Sequence, residues 1–170
     1  KRNLNTNKII EICNMHPRVN LLSPSIGVGG HCIPLDPYFL NFEKTRDNMI
    51  LLSRKMNNKK TIIIISKLRK IIKLNKNKKI CFWGIGYKPG SSDIRESPAI
   101  KIINALNKKD KFYISDPLFE IMTNKTLKIS NFINPDKALK RFNLHIILNL
   151  KQKYVKEKFK NRNFILAENL

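Results

Sequence analysis

The sequence predicts an α/β fold in which a doubly wound, mainly parallel sheet follows a helical segment. The apolar stretch ICFW (residues 80–83) runs directly into a glycine turn at Gly84 and Gly86, and a strand with such a turn opens domains of this class. Short apolar strands then alternate with helical stretches as far as residue 166, which predicts parallel strands covered on both faces. Upstream, residues 47–73 carry apolar side chains at helical spacing.

The N-terminal part is predicted to contain a short helix and an extended connection. The apolar side chains among residues 9–13 predict a helix of about two turns. It should end at His16, because a residue that precedes a proline avoids helical backbone angles. Residues 20–25 are expected to be extended, and the side chains of residues 38–40 (YFL) are expected to be anchored in the core.

Between these two stretches, GVGGHCIPLDP (residues 27–37) predicts a rigid loop that presents a thiol beside a carboxylate. The glycines permit backbone angles and close approaches that a side chain would forbid. Pro34 and Pro37 remove backbone donors and are expected to prevent a helix. Cys32 and Asp36 are therefore candidate reactive groups. The alternative is a glycine–proline turn that buries a structural cysteine.

Residues 47–73 predict one long helix or a pair of helices. Met49, Leu52 and Met56 recur at helical spacing. The run TIIII (residues 61–65) taken alone favours a strand, but apolar positions continue beyond it without a turn residue, so a helix is predicted. A helix with so broad an apolar face usually packs on a domain or a second subunit. The less favoured alternative is that its basic side lies on an anionic membrane.

The C-terminal part is predicted to begin after a charged linker at residues 75–79, which is the best domain boundary. Ser97 is expected to cap a helix that has Pro98 at its first position. The predicted helices are residues 98–106, 119–123, 135–142 and 154–159. The predicted strands are residues 80–83, 111–115, 127–129, 144–150 and 164–166.

The glycine turn after residue 83 departs from the dinucleotide-binding fingerprint. Pro89 stands where the GxGxxG pattern has its third glycine, and Gly90 follows one residue later. A polar loop, KPGSSDIRES (residues 88–97), then leads to the next helix. Ligands of such sheets bind at the carboxyl ends of the strands, so Lys88 and Arg95 are candidates for holding an anion. The alternative is an ordinary loop whose charges face water.

Composition narrows the classes of partner and compartment. The net charge of +22 points to nucleic acid or a membrane surface, but Lys is spread along the whole chain together with many Asn and Ile, which favours compositional bias. No specific nucleic-acid motif and no stacking platform are found. The three cysteines and three histidines have neither disulfide nor metal-ligand spacing, which predicts a cytoplasmic protein without a metal. No apolar run reaches membrane-spanning length.

Two long motifs together resemble one enzyme family. GVGGHCIPLDPYF (residues 27–39) and WGIGYKPGSSDIRESPA (residues 83–99) resemble the UDP-glucose/GDP-mannose dehydrogenase family. HPRVN (residues 16–20) and the histidine before the thiol resemble its branch that acts on UDP-N-acetylmannosamine. The resemblance implies three parts: the end of a central domain with the thiol loop (1–42), a helical connector for dimerisation (43–75) and a Rossmann-like UDP-sugar-binding domain (76–170).

The resemblance also implies a chemistry, the oxidation of C6 of a UDP-sugar from alcohol to carboxylate with two NAD⁺. Cys32 would capture the intermediate aldehyde, and the resulting thiohemiacetal would lose a hydride to become a thioester. Asp36 would position the water that hydrolyses the thioester, or hold a neighbouring lysine.

Binding roles follow from the same resemblance. Arg95 would reach the phosphates of NAD, Lys88 the nucleotide part of the substrate, and Arg18 the substrate of a neighbouring subunit. The substrate-binding residues are then Arg18, Gly27, Gly29, Gly30 and Lys88. The implied partners are the UDP-sugar and a second copy of the chain, joined through the long helix.

The family's N-terminal NAD-binding domain and the segment that carries its catalytic Lys and Asn have no counterpart in this sequence. We therefore expect a fragment that is inactive by itself and whose NAD site lies mostly on the missing domain, which a separate polypeptide could supply. One alternative is a non-catalytic remnant that binds UDP-sugar or dimerises. The other, less favoured, is a basic nucleic-acid-binding module.

Overall fold

The computed structural model describes residues 4–40, 48–106, 112–119 and 131–170. Apart from residue 119, the helix predicted at 119–123 and the strand predicted at 127–129 lie outside these ranges. The helices are α1 (Thr6–Cys13), α2 (Cys32–Phe39), α3 (Met49–Leu74), α4 (Pro98–Leu106), α5 (Pro135–Arg141) and α6 (Gln152–Phe159). The strands are β1 (Ile80–Trp83), β2 (Phe112–Ser115), β3 (Leu144–Ile147) and β4 (Phe164–Leu166).

The strands form one parallel sheet in the order β2-β1-β3-β4. The chain passes from β1 to β2 on one side and later returns to β3 on the other side of β1. The carboxyl ends of β1 and β3 therefore flank a topological switch point, where ligands of open α/β sheets bind. A bridge between Ile114 and Phe132 continues the sheet beyond β2.

Alternate residues of the central strand enter two separate apolar clusters. Ile80 and Phe82 belong to the cluster beneath α3 and α4, with Leu68 and Ile102 among its members. Cys81 and Trp83 belong to the cluster beneath α5 and α6. The sheet is thus covered on both faces, which confirms the predicted doubly wound α/β fold.

The long stretch before the sheet is helical, as predicted, and it is one helix and not the alternative pair. Asn48 caps α3, because its side chain accepts a hydrogen bond of 2.8 Å from the Ile50 N–H. Ile64 and Leu68 are buried, whereas Ile62 keeps 65% of its surface exposed. This helical periodicity of burial outweighs the strand propensity of the isoleucine run. None of the helices in the described ranges is long and apolar enough to cross a membrane.

A buried histidine makes the stability of this sheet depend on pH. His145 accepts a hydrogen bond of 3.0 Å at Nδ1 from the Trp83 indole N–H, and both side chains are buried. Burial lowers the pKa of His145 from 6.5 to about 4. The folded chain therefore keeps the imidazole neutral, while the unfolded chain binds a proton as soon as the pH falls below about 6.5.

We predict that stability is highest above pH 6.5 and falls by about 2 kcal/mol as the pH drops from 6.5 towards 4. Urea unfolding at several pH values measures the slope. His145→Asn should flatten the slope in that window, whereas substitution of the exposed His16 by asparagine should leave it unchanged. An equal slope in the His145 variant would contradict the assignment.

Candidate functional site

The thiol segment forms a helix, so the prediction of a rigid loop over residues 27–37 is wrong from Cys32 onward. Helix α2 runs from Cys32 to Phe39 and contains both prolines. Pro34 is the third residue of the helix, where a backbone N–H has no partner within the helix in any case. Pro37 removes only one internal hydrogen bond. Both prolines are therefore tolerated in a helix of two turns.

The helix places the two candidate reactive groups together. Cys32 and Asp36 lie four residues apart, which brings their side chains to one face of α2. Cys32 is the exposed thiol of the three, since Cys13 is half-buried and Cys81 is buried. The Cys32 Sγ lies 3.8 Å from Nδ1 of His31, the residue that precedes the helix. The geometry therefore offers an accessible thiol with a carboxylate one turn away.

The aromatic residues that end α2 are exposed, contrary to the expectation that they are anchored in the core. Tyr38, Phe39 and Leu40 keep 51%, 74% and 60% of their surfaces exposed. The apolar residues of α2 are distributed around the whole helix, and Pro34 is the buried one. One face of α2 packs against the rest of the described chain, and the apolar side chains on its other faces remain exposed.

Residues 25–30, which we call the glycine segment, precede the thiol and are held to α3 by polar contacts. The Val28 N–H donates to Oδ1 of Asn57 at 2.8 Å, and the Lys60 ammonium donates to the Ser25 carbonyl. The Ile26 side chain is buried in the core beneath α3. These contacts fix the backbone that leads into Cys32.

The glycine segment packs directly against the polar loop that follows β1. The Gly30 N–H donates to the Arg95 carbonyl at 2.9 Å. A Cβ on Gly29 would lie 2.7 Å from the Glu96 carbonyl oxygen, and one on Gly30 would lie 2.9 Å from the Tyr87 ring. Real side chains do not fit at such distances, so glycine is required where the two motifs meet. The structure thus brings together glycines and loop residues that lie more than fifty positions apart in the sequence.

The charged groups near the thiol form a tight ion pair. Arg95 donates from Nε and Nη2 to the Asp93 carboxylate at 2.7–3.1 Å. This hydrogen bonding lowers the pKa of Asp93 and raises that of Arg95. The nearby His31 adds a small lowering of the pKa of Asp93, and Cys32 adds a small raising of the pKa of Arg95. The α/β part therefore supplies an ion pair beside the thiol helix.

The turn after β1 is closed by a residue from the loop after β3. Gly84 has φ +84° and lies against the backbone of Asn149, whose carbonyl oxygen would be 2.2 Å from a Cβ. The buried Asn149 amide donates to the Gly86 carbonyl at 2.8 Å. This contact joins the two loops at the topological switch point.

A buried carboxylate at the end of β2 supports the same turn. Asp116 accepts hydrogen bonds of 2.8 Å from the backbone N–H groups of Ile85 and Leu118. Burial raises the pKa of Asp116, and the backbone hydrogen bonds from Leu118, Ile85 and Gly86 oppose that rise. Asp116 thus holds the glycine turn through its backbone donors.

Several predicted binding residues meet at this junction, and one does not. Gly30 contacts the loop that contains Lys88 and Arg95. Gly27 contacts Pro98, the first residue of α4, and Gly29 contacts both that loop and Pro98. Lys88 is exposed, with its ammonium 5.5 Å from the centre of the Tyr87 ring. Arg18 lies exposed after α1, and its hydrogen bond within the described ranges is made by its backbone, to Nδ1 of His16.

The sequence interpretation missed Asp93, Asp116 and Asn149. The signal for Asp116 and Asn149 was their position directly after strongly apolar strands, because the carboxyl ends of parallel strands share one edge of the sheet. Asp93 stands two residues before Arg95, and the ion pair within that loop carried no separate signal. No cluster of metal-binding side chains occurs among the described residues.

Comparison with known families decides the assignment. Residues 81–168 match the UDP binding domain of the UDP-glucose/GDP-mannose dehydrogenase family, and residues 1–59 match its central domain. The chain belongs to the UDP-glucose/GDP-mannose dehydrogenase family. The junction between the glycine segment and the β1 loop is therefore a contact between parts of two family domains.

Individual relatives carry more specific names. The chain is 40% identical over 103 residues to a UDP-N-acetyl-D-mannosamine dehydrogenase of Methanocaldococcus jannaschii, covering 61% of the chain and 24% of the relative. It is 30% identical over 156 residues to an NDP-N-acetyl-D-galactosaminuronic acid dehydrogenase of Ralstonia solanacearum, covering 90% of the chain and 37% of the relative. The chain thus spans about a quarter to somewhat more than a third of the length of these proteins.

Solved structures agree with the fold. The native structure of the UDP-N-acetyl-mannosamine dehydrogenase from Staphylococcus aureus superposes with a TM-score of 0.61 at 31% identity, covering 86% of the chain and 33% of that structure. The UDP-D-ManNAc dehydrogenase from Pyrococcus horikoshii superposes with a TM-score of 0.64 at 24% identity, covering 95% of the chain and 40% of that structure. The second likeness shows the fold alone.

Proposed function

We propose that this chain is the substrate-binding and thiol-bearing part of an NAD-dependent dehydrogenase that oxidises C6 of UDP-N-acetylmannosamine or a related UDP-sugar to the uronic acid. The observation that carries the proposal is the packed contact between the exposed-thiol segment and the Lys88–Arg95 loop. The family membership and the names of the relatives support the substrate class.

In the proposed reaction, the substrate lies at this junction with its nucleotide towards Lys88 and its sugar against the backbone of the glycine segment. Loss of a hydride from C6 and of the hydroxyl proton first gives the C6 aldehyde. Cys32 adds to this aldehyde, so that a C–S bond forms and the thiol proton passes to the carbonyl oxygen. Loss of a second hydride from C6, with the hydroxyl proton, converts the thiohemiacetal to a thioester. Water, positioned by Asp36, then breaks the C–S bond and releases carboxylate and thiol.

NAD supplies the hydride acceptor when bound, one molecule for each of the two oxidations. The described residues fit NAD only in part. Arg95 is an exposed cation beside the thiol helix and can meet a phosphate, although Asp93 already holds two of its donors. The glycine turn at Gly84 is packed against Asn149, so it does not offer a pyrophosphate site. We place most of the NAD site outside this chain.

The domain division and the dimer are part of the proposal. We assign residues 1–42 to the end of the central domain, 43–75 to the connector and 76–170 to the UDP-sugar-binding domain. A homodimer through α3 is supported by its exposed apolar side chains, among them Leu52, Met56 and Ile62, which are each more than half exposed.

Titration calorimetry of the chain with UDP-N-acetylmannosamine tests the binding function. We expect a single site, weakened at least about fivefold by Lys88→Met because a charge-assisted contact to the nucleotide is lost. Lys153→Met, on the exposed side of α6, is the matched control and should leave the affinity unchanged. A folded chain that binds no uridine nucleotide would refute the proposal.

The contact between the two motifs gives a second prediction. Gly29→Ala should weaken binding of the UDP-sugar at least about tenfold, because its Cβ would meet the Glu96 carbonyl at 2.7 Å and push the motifs apart. The atoms that this Cβ would meet belong to Tyr87, Glu96 and Pro98 and not to a strand of the sheet, so cooperative unfolding should persist. Val28→Ala, which changes the neighbouring exposed residue, serves as the control. Equal affinities of the two variants would show that the junction is not the binding site.

A further inference from the structure

A concave site lies at the amino edge of the sheet, and we call it the amino-edge groove. It has a volume of about 310 Å³ and is lined by Lys76, Asn77, Lys78, Lys79, Ile80, Tyr113, Arg141 and Phe142. The groove is framed by backbone contacts, since the Asn143 N–H donates to the Lys79 carbonyl at 3.1 Å. Strand β1, about 13 Å long, separates it from the glycine turn and the proposed substrate site.

The proportion of cationic residues in the segment along the groove is higher than in the chain as a whole. Lysine occupies five of the ten positions from 70 to 79, whereas lysine and arginine together occupy 34 of the 170 positions of the chain. An adjoining hollow of about 470 Å³, lined by Lys70, Lys73, Leu74 and Lys76, shares Lys76 with the groove. Every charged side chain that the structure describes along these two hollows is a cation.

Stabilisation of helix ends explains the positions of only some of these cations. Lys73 and Arg141 lie in the last turns of α3 and α5, where a cation stabilises the carbonyl end of a helix. Lys76, Lys78 and Lys79 lie beyond the end of α3 and are exposed. Three like charges within four residues repel one another, and the described residues that line the groove hold no counter-charge.

The chemistry of the groove wall points to phosphates rather than bases. The Arg141 guanidinium lies 5.0 Å from the centre of the Tyr113 ring and 5.9 Å from that of Phe142. Stacking of this kind orients the planar guanidinium and leaves its N–H edges for an anion. Because Arg141 covers Tyr113 and Phe142 is buried, neither ring is open for a base to stack.

We propose that the amino-edge groove binds the phosphate backbone of nucleic acid without reading base sequence. A row of cations beside an arginine that stacking orients, with no aromatic face free for a base, is the arrangement expected for contacts to phosphates alone. The groove lies at the edge of the sheet opposite the proposed UDP-sugar site, so the two sites act independently.

Fluorescence anisotropy with a labelled 12-nucleotide RNA over a series of salt concentrations tests this site. With about four phosphate contacts, the logarithm of the binding constant should fall with the logarithm of salt with a slope of about −3. Replacing Lys76, Lys78 and Lys79 by glutamine should reduce the slope by about 2 and weaken binding at least about tenfold at low salt. All three side chains are exposed, so the unfolding midpoint should hardly change.

The matched control removes the same charge from α6, by replacing Lys153, Lys156 and Lys158 with glutamine. It should weaken RNA binding less than about threefold. Inorganic polyphosphate should displace the RNA, and RNAs of different sequence should bind equally.

Three results would overturn the proposal. Equal losses of RNA affinity in the two triple variants would mean that net charge alone attracts the RNA. Failure of polyphosphate to compete, or absence of RNA binding by the unsubstituted chain, would also contradict it. Titration of the groove variant with UDP-N-acetylmannosamine separates the two proposals, because that affinity should remain. Loss of RNA binding with retained UDP-sugar binding supports the groove, and loss of both in this variant contradicts a separate site.

Discussion

Cys32→Ala is expected to abolish uronic acid formation, with NADH production reduced at least about 1000-fold, or about 4 kcal/mol in transition-state free energy. The thiol is the covalent group of the proposed reaction, and alanine removes it with little change in shape. Because we propose that most of the NAD site lies outside this chain, the measurement would use this chain joined to the N-terminal part of the UDP-N-acetyl-mannosamine dehydrogenase from Staphylococcus aureus.

Cys13→Ala is the control for Cys32→Ala, since Cys13 is a half-buried thiol on α1. It should retain nearly full activity. Alkylation with iodoacetamide offers a readout that does not depend on turnover, because the UDP-sugar should protect Cys32 and leave Cys13 unprotected. Retention of more than a tenth of the activity by Cys32→Ala would contradict the thioester mechanism.

Asp36→Asn should separate the two proposed roles on α2. The aldehyde can still add to the thiol, but water is positioned less well, so that hydrolysis of the thioester slows. Mass spectrometry of the stopped reaction would then detect the sugar on Cys32. The prediction depends on the helix, because a loop would not hold Asp36 at a fixed distance from the thiol.

The sheet could be predicted from the sequence because its signals are local. Apolar strands such as residues 80–83 and 144–147 are buried on both faces, and helices such as α4 have an apolar face with a capping serine. These features depend on neighbouring residues, so that spacing and propensity suffice. The structure confirms them to within a few residues at their ends.

The thiol helix could not be predicted by the same reasoning. Proline counts as a helix breaker, but its cost depends on its position in the helix, and Pro34 lies where no internal hydrogen bond is lost. The position of the helix start was not visible, because His31 does not cap it through its side chain. A glycine-rich approach and two prolines therefore predicted a loop.

The polar contacts of the site depend on strand order, which a sequence does not display. Asp116 and Asn149 follow strands on opposite sides of β1, and both reach the turn between Gly84 and Gly86. A prediction of either contact requires the order β2-β1-β3 in advance. Both residues were visible only as polar positions after apolar strands.

Gly84→Ala is expected to destabilise the chain by about 4 kcal/mol, and Gly90→Ala by only about 1 kcal/mol. Both glycines have positive φ, +84° and +79°, so the backbone penalty of a side chain is nearly the same. Their surroundings differ. A Cβ on Gly84 would meet the backbone oxygen of Asn149 at 2.2 Å, whereas on Gly90 the nearest atoms belong to the flexible end of Lys151.

Urea unfolding of the two variants therefore separates conformational strain from steric clash. Lys151 can rotate away, but Asn149 cannot move without breaking its hydrogen bond to Gly86 and that between the Leu148 N–H and the Trp83 carbonyl, each of 2.8 Å. These bonds hold the carboxyl ends of β1 and β3 together at the switch point. Equal losses in the two variants would show that backbone angles alone require glycine there, and that Asn149 does not close the turn.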